Sequence, residues 1–289
     1  MKPNHTSSEP IPSLTRGIDD KSARMSSYTV IKVGGAVVED PISLDILLDS
    51  FTKIEGPKIL VHGGGRLATA MATLCKLETH MVNGRRVTDQ EMLKVVTMVY
   101  GGLINKQIVA KLQARGINAV GLTGADLDLV RAHRRPITPE GIDFGFVGDV
   151  DYADGNSLFQ LIFMGATPVI APLTHDGEGQ LLNTNADTMA QTIAVALSKP
   201  ITDLNYSPEE VTLTFCFELP GVLRDPTDPS TLIPTITESD FRTLVADGTV
   251  SGGMIPKLEN AFAALHQGVS AVRITNIEDL QGGTVLVKD

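Results

Sequence analysis

Two apolar runs that end in glycine decide how this chain folds: Tyr28-Thr29-Val30-Ile31-Lys32-Val33-Gly34-Gly35, and Ile59-Leu60-Val61-His62-Gly63-Gly64-Gly65. Each reads as a short strand that breaks into a turn without side chains, and a helical pattern follows each turn. After Pro41 the apolar positions Ile46, Leu47, Phe51 and Ile54 mark the first helix. A second covers about 66–78, and a third runs from about Thr88 to Arg115 with an expected break at Gly101-Gly102. Asn118 to Leu122 and Pro168 to Ala171 read as strands, with a polar, Gly-rich hairpin region (about 125–152) and a helix (about 155–164) between them. A helix follows Asn185, and Val211 to Phe217 is strand-like. Helices at about 237–247 and 254–267 and strands at Ala271 to Thr275 and Thr284 to Val287 complete the pattern. Strand and helix alternate throughout. The expected fold is therefore α/β, a largely parallel open sheet covered on both faces, with ligands beyond the carboxyl ends of the strands where both glycine turns lie.

The 289 residues are 42% apolar and 20% charged, enough to bury a large core. No apolar run approaches the roughly 20 residues that span a bilayer. Residues 1–27 lack an apolar signal-peptide segment and read as a mobile tail. Two cysteines without CxxC spacing argue against a zinc site or disulfide and for a reducing cytoplasm. A net charge of −10 argues against nucleic acid, because phosphates need a basic face. Against that acidic background, clusters of Lys and Arg beside glycine stand out.

Five such segments carry chemistry. Lys32 sits inside an apolar strand, costly to bury unless paired, and Gly34-Gly35 lets backbone N–H groups approach an anion. A snorkelling lysine before a tight turn is the plain alternative. Gly63-Gly64-Gly65 exposes donors at a helix N-terminus. Neither cluster is a GxxxxGK[ST] or GxGxxG loop, which removes the P-loop and dinucleotide readings. Asn83-Gly84-Arg85-Arg86-Val87-Thr88-Asp89 offers a guanidinium clamp for a carboxylate, with Thr88 or Asp89 as helix cap. Leu182-Asn183-Thr184-Asn185-Ala186-Asp187 places an amide at a loop end and an acid in a first helical turn, where the helix dipole alone also favours it. Gly252-Gly253-Met254-Ile255-Pro256-Lys257 sets a cation at a helix N-terminus, where a cation is disfavoured unless it serves an anion.

In this order and spacing, the five segments resemble the acetylglutamate kinase branch of the amino-acid kinase family, from about Tyr28 to the C-terminus. HGGG at 62–65, NGRRVTD at 83–89, LNTNAD at 182–187 and GGMIPK at 252–257 carry the resemblance. It implies a three-layer αβα sandwich of the carbamate kinase-like type. An N-lobe (about 28–180) would bind the acylated amino acid and a C-lobe (about 181–289) the nucleotide. The implied reaction is phosphorylation of the side-chain carboxylate of N-acetyl-L-glutamate by ATP, in arginine biosynthesis. By resemblance Lys32 and Lys257 stabilise the moving phosphoryl group and Asp187 holds both lysines. Gly34, Gly35, Gly64 and Gly65 donate N–H groups to the phosphates and the reacting carboxylate, while Arg86 and Asn183 bind the acylated amino acid. Mg²⁺ travels on the ATP phosphates, and no residue is assigned as a metal ligand. The chemistry agrees: a carboxylate attacks without a strong base, so positioning and charge neutralisation do the work.

Two segments depart from the family pattern. Phe215-Cys216-Phe217-Glu218 stands where many members carry an Asp-containing turn beside the adenine, and relatives with a Cys-Phe-Glu segment look like N-succinyl-L-glutamate kinases. The short C-terminal end, Thr275 to Asp289, lacks the family's arginine-sensor pattern. A homodimer without strong arginine inhibition is expected. The competing readings are N-succinyl-L-glutamate as acceptor, a sister kinase of the same fold, and a catalytically silent metabolite sensor. The sister kinases fit less well because NGRRVTD suits an amino-acid carboxylate. The sensor fits less well because Lys32, Asp187 and Lys257 are all present.

Overall fold

The computed structural model describes residues 27–200 and 206–289, so the tail expected at 1–27 lies, apart from Ser27, outside the described residues. An eight-stranded sheet organises the chain, in the order β12-β14-β13-β11-β1-β2-β8-β5. Its centre is β1 (Ser27–Val33) between β2 (Lys58–His62) and β11 (Glu210–Cys216), both parallel to it. β8 (Thr167–Ile170) and β5 (Ala119–Leu122) extend one edge, and β13 (Ala271–Thr275), β14 (Thr284–Leu286) and β12 (Thr235–Ile236) the other. Every pairing in this sheet is parallel except β13 with β14.

A parallel sheet is covered on both faces, so its strands read as nearly continuous apolar runs. β2 is buried along its whole length. Alternation along β1 sends Val30 into one core and Ile31 and Val33 into the other. The first core packs against α6 (Gly155–Phe163), α7 (Ala186–Leu197), α8 (Glu238–Ala246) and α9 (Met254–His266). The second packs against α2 (Pro41–Thr52), α3 (Gly65–Leu74), α4 (Gln90–Val96) and α5 (Asn105–Gln113). This is the expected αβα sandwich.

Four features differ from the sequence reading. A short helix, α1 (Gly35–Glu39), starts directly at the first glycine turn. The long helix does not break at Gly101-Gly102; Thr97–Ile104 forms a π-helical segment that joins α4 to α5. Widening the helix by one residue per turn accommodates the glycines without interrupting the backbone bonds, and such segments gather at functional sites. The hairpin region contributes β6 (Val130–Arg134) and β7 (Gly148–Ala153) to a second sheet, in the order β10-β9-β6-β7, with β9 (Leu173–His175) and β10 (Leu181–Asn183). Asn183 thus ends a strand rather than a loop. Finally, Asn83 and Gly84 form a tight turn with φ of 50° and 74° between β3 (Met81–Val82) and β4 (Arg85–Arg86). Asn-Gly is the pair that such two-residue hairpins favour.

Candidate active site

The carboxyl ends of β1 and β2 place the two glycine turns against each other. A Cβ on Gly35 would stand 3.1 Å from the backbone nitrogens of Gly64 and Gly65, and one on Gly63 3.0 Å from that of Gly35. Gly64 is wedged further: its Cβ would lie 2.3 Å from Cδ1 of Ile104, on the π segment. Only glycine permits this approach. Neither Gly34 nor Gly64 can cap its helix with a side chain. Glu39 Oε1 accepts from the Leu67 N–H at 2.8 Å in the first turn of α3, and the turns themselves present backbone N–H groups at positive helix ends.

His62 is buried behind the second turn. Its Nδ1–H donates to the Gly63 carbonyl at 2.9 Å, and its Nε2 accepts from Asn105 Nδ2 at 3.2 Å. Burial pulls its pKa down to about 4, which keeps the ring neutral. Its part is to fix the turn. Asn105, which sequence reasoning passed over, also donates to the Val169 carbonyl at 2.9 Å and so ties turn, helix and β8 together.

Two clefts meet at Gly34-Gly35. The first, about 220 Å³, is lined by Gly35, Gly63, Gly64, Gly65, Arg86 and Asn183, among others. Arg86 is buried at 8% exposure, yet no carboxylate within ion-pair distance accompanies it among the described residues. Neutral oxygens hold its Nη2 instead: the Gly65 carbonyl at 2.7 Å and Thr69 Oγ1 at 2.8 Å. A desolvated guanidinium held this way retains its full charge for a ligand. Asn183 donates from Nδ2 to Thr88 Oγ1 at 2.9 Å, and Thr88 Oγ1 donates to the Arg86 carbonyl at 3.1 Å. NGRRVTD and LNTNAD are thereby one hydrogen-bonded unit. Asp89, not Thr88, caps α4, accepting from the Met92 N–H at 2.8 Å. Arg85, Tyr100 and Asn185 also line this cleft. Asn185 caps α7, accepting from the N–H groups of Asp187 and Thr188. Tyr100 gave no sign in the sequence, since it arrives from a helix distant along the chain.

The second cleft, about 360 Å³, is lined by Lys32, Gly34, Cys216, Phe217, Glu218 and Lys257, among others. Lys32 Nζ is 2.8 Å from Asp187 Oδ1, which accounts for a lysine inside an apolar strand. Lys257 does not share that carboxylate in the way the resemblance implied. Its ammonium stands 4.1 Å from the centroid of the Phe217 ring. Lys257 and Asp187 nevertheless line one small cavity, together with Phe215 and Ile274. The physical reason is placement: the aromatic side chain at the end of β11 takes the ammonium as α9 brings it to the sheet. All the sequence-selected residues therefore fall around two adjoining clefts, anchored in one by Arg86 and in the other by the two lysines.

The family model described as the amino acid kinase family matches residues 27–276. The acetylglutamate kinase of Bacteroides fragilis is 53% identical over 270 residues, 93% of this chain and 100% of that protein. That of Bacteroides thetaiotaomicron is 56% identical over 247 residues, 86% of this chain and 92% of that protein. Among solved structures, carbamate kinase from Giardia lamblia superposes with a TM-score of 0.61 at 13% identity, covering 92% of this chain and 99% of that one, a likeness of fold alone. The chain belongs to the amino acid kinase family, in its acetylglutamate kinase branch.

Proposed function

We propose that the chain phosphorylates the side-chain carboxylate of N-acetyl-L-glutamate with ATP, giving N-acetyl-L-glutamyl 5-phosphate, the second step of arginine biosynthesis. The observation that carries this reading is the junction of the clefts at Gly34-Gly35: an unpaired guanidinium in one, two lysines in the other. Arg86 and Asn183 hold the α-carboxylate and the acylamino group. The N–H groups of Gly35, Gly64 and Gly65 receive the reacting carboxylate, and those of Gly34 and Gly35 the phosphates. Lys32, kept in place by Asp187, and Lys257 neutralise the charge spread over the phosphoryl oxygens in the transition state. Residues of about 28–180 serve mainly the acyl amino acid and those of about 181–289 mainly the nucleotide, with Asn183 reaching into the first cleft and Lys32 and Gly34 into the second.

Mg²⁺ fits as a passenger of the nucleotide. The second cleft offers two ammonium groups and the carboxylate of Glu218, and the carboxylate of Asp187 is engaged with Lys32, so the cation would draw most of its oxygens from the phosphates. When bound with the nucleotide it would offset phosphate charge. Cytoplasmic residence accords with two free thiols, Cys75 exposed and Cys216 buried. No helix among the described residues is long and apolar enough to cross a membrane. Assembly as a homodimer accords with the exposed apolar side chains of Met98 and Leu103 on the π segment.

The test is ADP release with Mg²⁺-ATP and each acceptor in turn. Release that requires N-acetyl-L-glutamate and is absent with L-glutamate supports the reading. No release above background with any acceptor would favour the silent-sensor reading.

A further inference from the structure

The nucleotide-side lysine has an unusual partner. Lys257 lies in the first turn of α9, where the helix dipole opposes a cation, and no acidic side chain among the described residues pairs with it. Its ammonium rests 4.1 Å above the centroid of Phe217. That ring is itself fixed. The Phe217 N–H donates to the Thr275 carbonyl at 2.8 Å, and the ring stacks on Phe215 at 6.2 Å with 20° between planes. Phe215 is in register with Lys32 on β1 and with Ile274 on β13. The aromatic pair therefore forms a wall running from the sheet position of Lys32 to the tip of Lys257.

We propose that Phe217 is a positioning residue for phosphoryl transfer, holding Lys257 over its π face at the mouth of the nucleotide cleft. The inference rests on the assignment of Lys257 to the transferring phosphoryl group. A carboxylate in the same place would fix the lysine equally well, as Asp187 fixes Lys32, but a further negative charge would offset more of the positive charge gathered for the phosphate. An aromatic face attracts the ammonium without adding a negative charge, so the lysine is oriented and remains fully cationic. It also works on the dry side of the ammonium, leaving its N–H donors free for phosphate oxygens. The two lysines are thus prepared differently: Lys32 by an ion pair with Asp187, Lys257 by a ring.

The test is steady-state kinetics of Phe217→Leu, Phe217→Tyr and Lys257→Ala, with Phe217→Leu repeated in the Lys257→Ala background over long incubations. Phe217→Leu is expected to lower kcat by about three- to thirty-fold, the range of a desolvated cation–π contact, with the KM for ATP changed less than kcat. Phe217→Tyr keeps a π face and is expected to retain most of kcat. In the Lys257→Ala background, Phe217→Leu is expected to cost nothing further. Thermal melting verifies folding, with Phe217→Met in place of the leucine variant if that one melts early. A raised KM for ATP at constant kcat would make the ring a wall for the nucleobase and overturn the proposal. So would an equal loss in both backgrounds. Normal kcat in Lys257→Ala would remove the underlying role of Lys257 as well. An inactive Lys257→Ala beside a normal Phe217→Leu would overturn the positioning role alone.

Discussion

Lys32 and Arg86 bring the same formal charge into adjoining clefts, but the protein holds them in opposite ways. Lys32 is 11% exposed and offset by Asp187, whose side chain is half exposed. Arg86 is buried and held by the neutral oxygens of Gly65 and Thr69. The ion-paired lysine suits charge that develops only in the transition state, and the unpaired guanidinium suits a carboxylate already charged on arrival. Lys32→Ala is therefore expected to lower kcat by about 10²- to 10³-fold with little loss of stability, since the carboxylate it abandons is half solvated. Arg86→Lys is expected to raise the KM for N-acetyl-L-glutamate by about ten- to hundred-fold, the worth of a charge-assisted bidentate contact, with the KM for ATP nearly unchanged. Steady-state kinetics in both substrates measures the two together. Parallel rises in both KM values for Arg86→Lys would contradict its place in the acyl cleft.

The site is built where strands hand over to helices, and glycine there is a packing requirement. Gly64→Ala puts a methyl group 2.3 Å from Ile104 Cδ1 and 3.0 Å from Tyr100 Cδ1. A loss of about 1–3 kcal/mol is expected in chemical denaturation, partly recovered by Ile104→Val, which removes the obstructing methyl. An alanine variant as stable as the parent would contradict the packing. His62 makes the same junction sensitive to pH. In the unfolded chain the ring titrates near 6.5, and in the folded chain near 4. Between those values the unfolded state binds the proton first. The neutral-histidine contribution is thus complete above about pH 6.5 and is lost as pH falls towards 4, on the order of 3 kcal/mol in all. His62→Asn is expected to flatten that part of the stability profile, and an unchanged slope would contradict the assignment.

Elements with a long period or a chemical boundary marker were readable from the residues. β1 and β2 end in glycine, Asn185 caps α7, and α9 begins with the Gly-Gly-Met-Ile-Pro-Lys run, each within a residue or two of expectation. α1, β9 and β10 were not read: α1 starts at the glycine turn with no capping side chain to mark it, and β9 and β10 are three-residue strands ending in the polar His175 and Asn183, which read as loop. The π segment was hidden for a different reason. Gly101-Gly102 breaks a helix by local propensity, and packing of Tyr100 and Ile104 against Gly64 outweighs that propensity. At the site, residue types were legible and pairings were not. Lys257 and Phe217 stand on separate elements, and their contact appears only when β11 and α9 meet.

At the scale of the molecule, a protein of net charge −10 must bring two anions into contact. The arrangement answers this by concentrating Lys32, Lys257, Arg85 and Arg86 around two clefts that meet at the glycine turns, where they outnumber the carboxylates of Asp187 and Glu218. In the proposed arrangement donor and acceptor bind on either side of Gly34-Gly35, which would make the transfer a short step between two bound partners, the main source of rate for a carboxylate nucleophile. The most direct measurement of that claim traps the product. Enzyme, ATP, Mg²⁺ and hydroxylamine are incubated in parallel with N-acetyl-L-glutamate, N-succinyl-L-glutamate and L-glutamate, and acyl hydroxamate is read by its ferric colour. Hydroxamate from N-acetyl-L-glutamate and none from L-glutamate is the predicted result. Hydroxamate from the succinyl compound alone would move the acceptor to that acid, and hydroxamate from none of the three would contradict acyl-phosphate formation altogether.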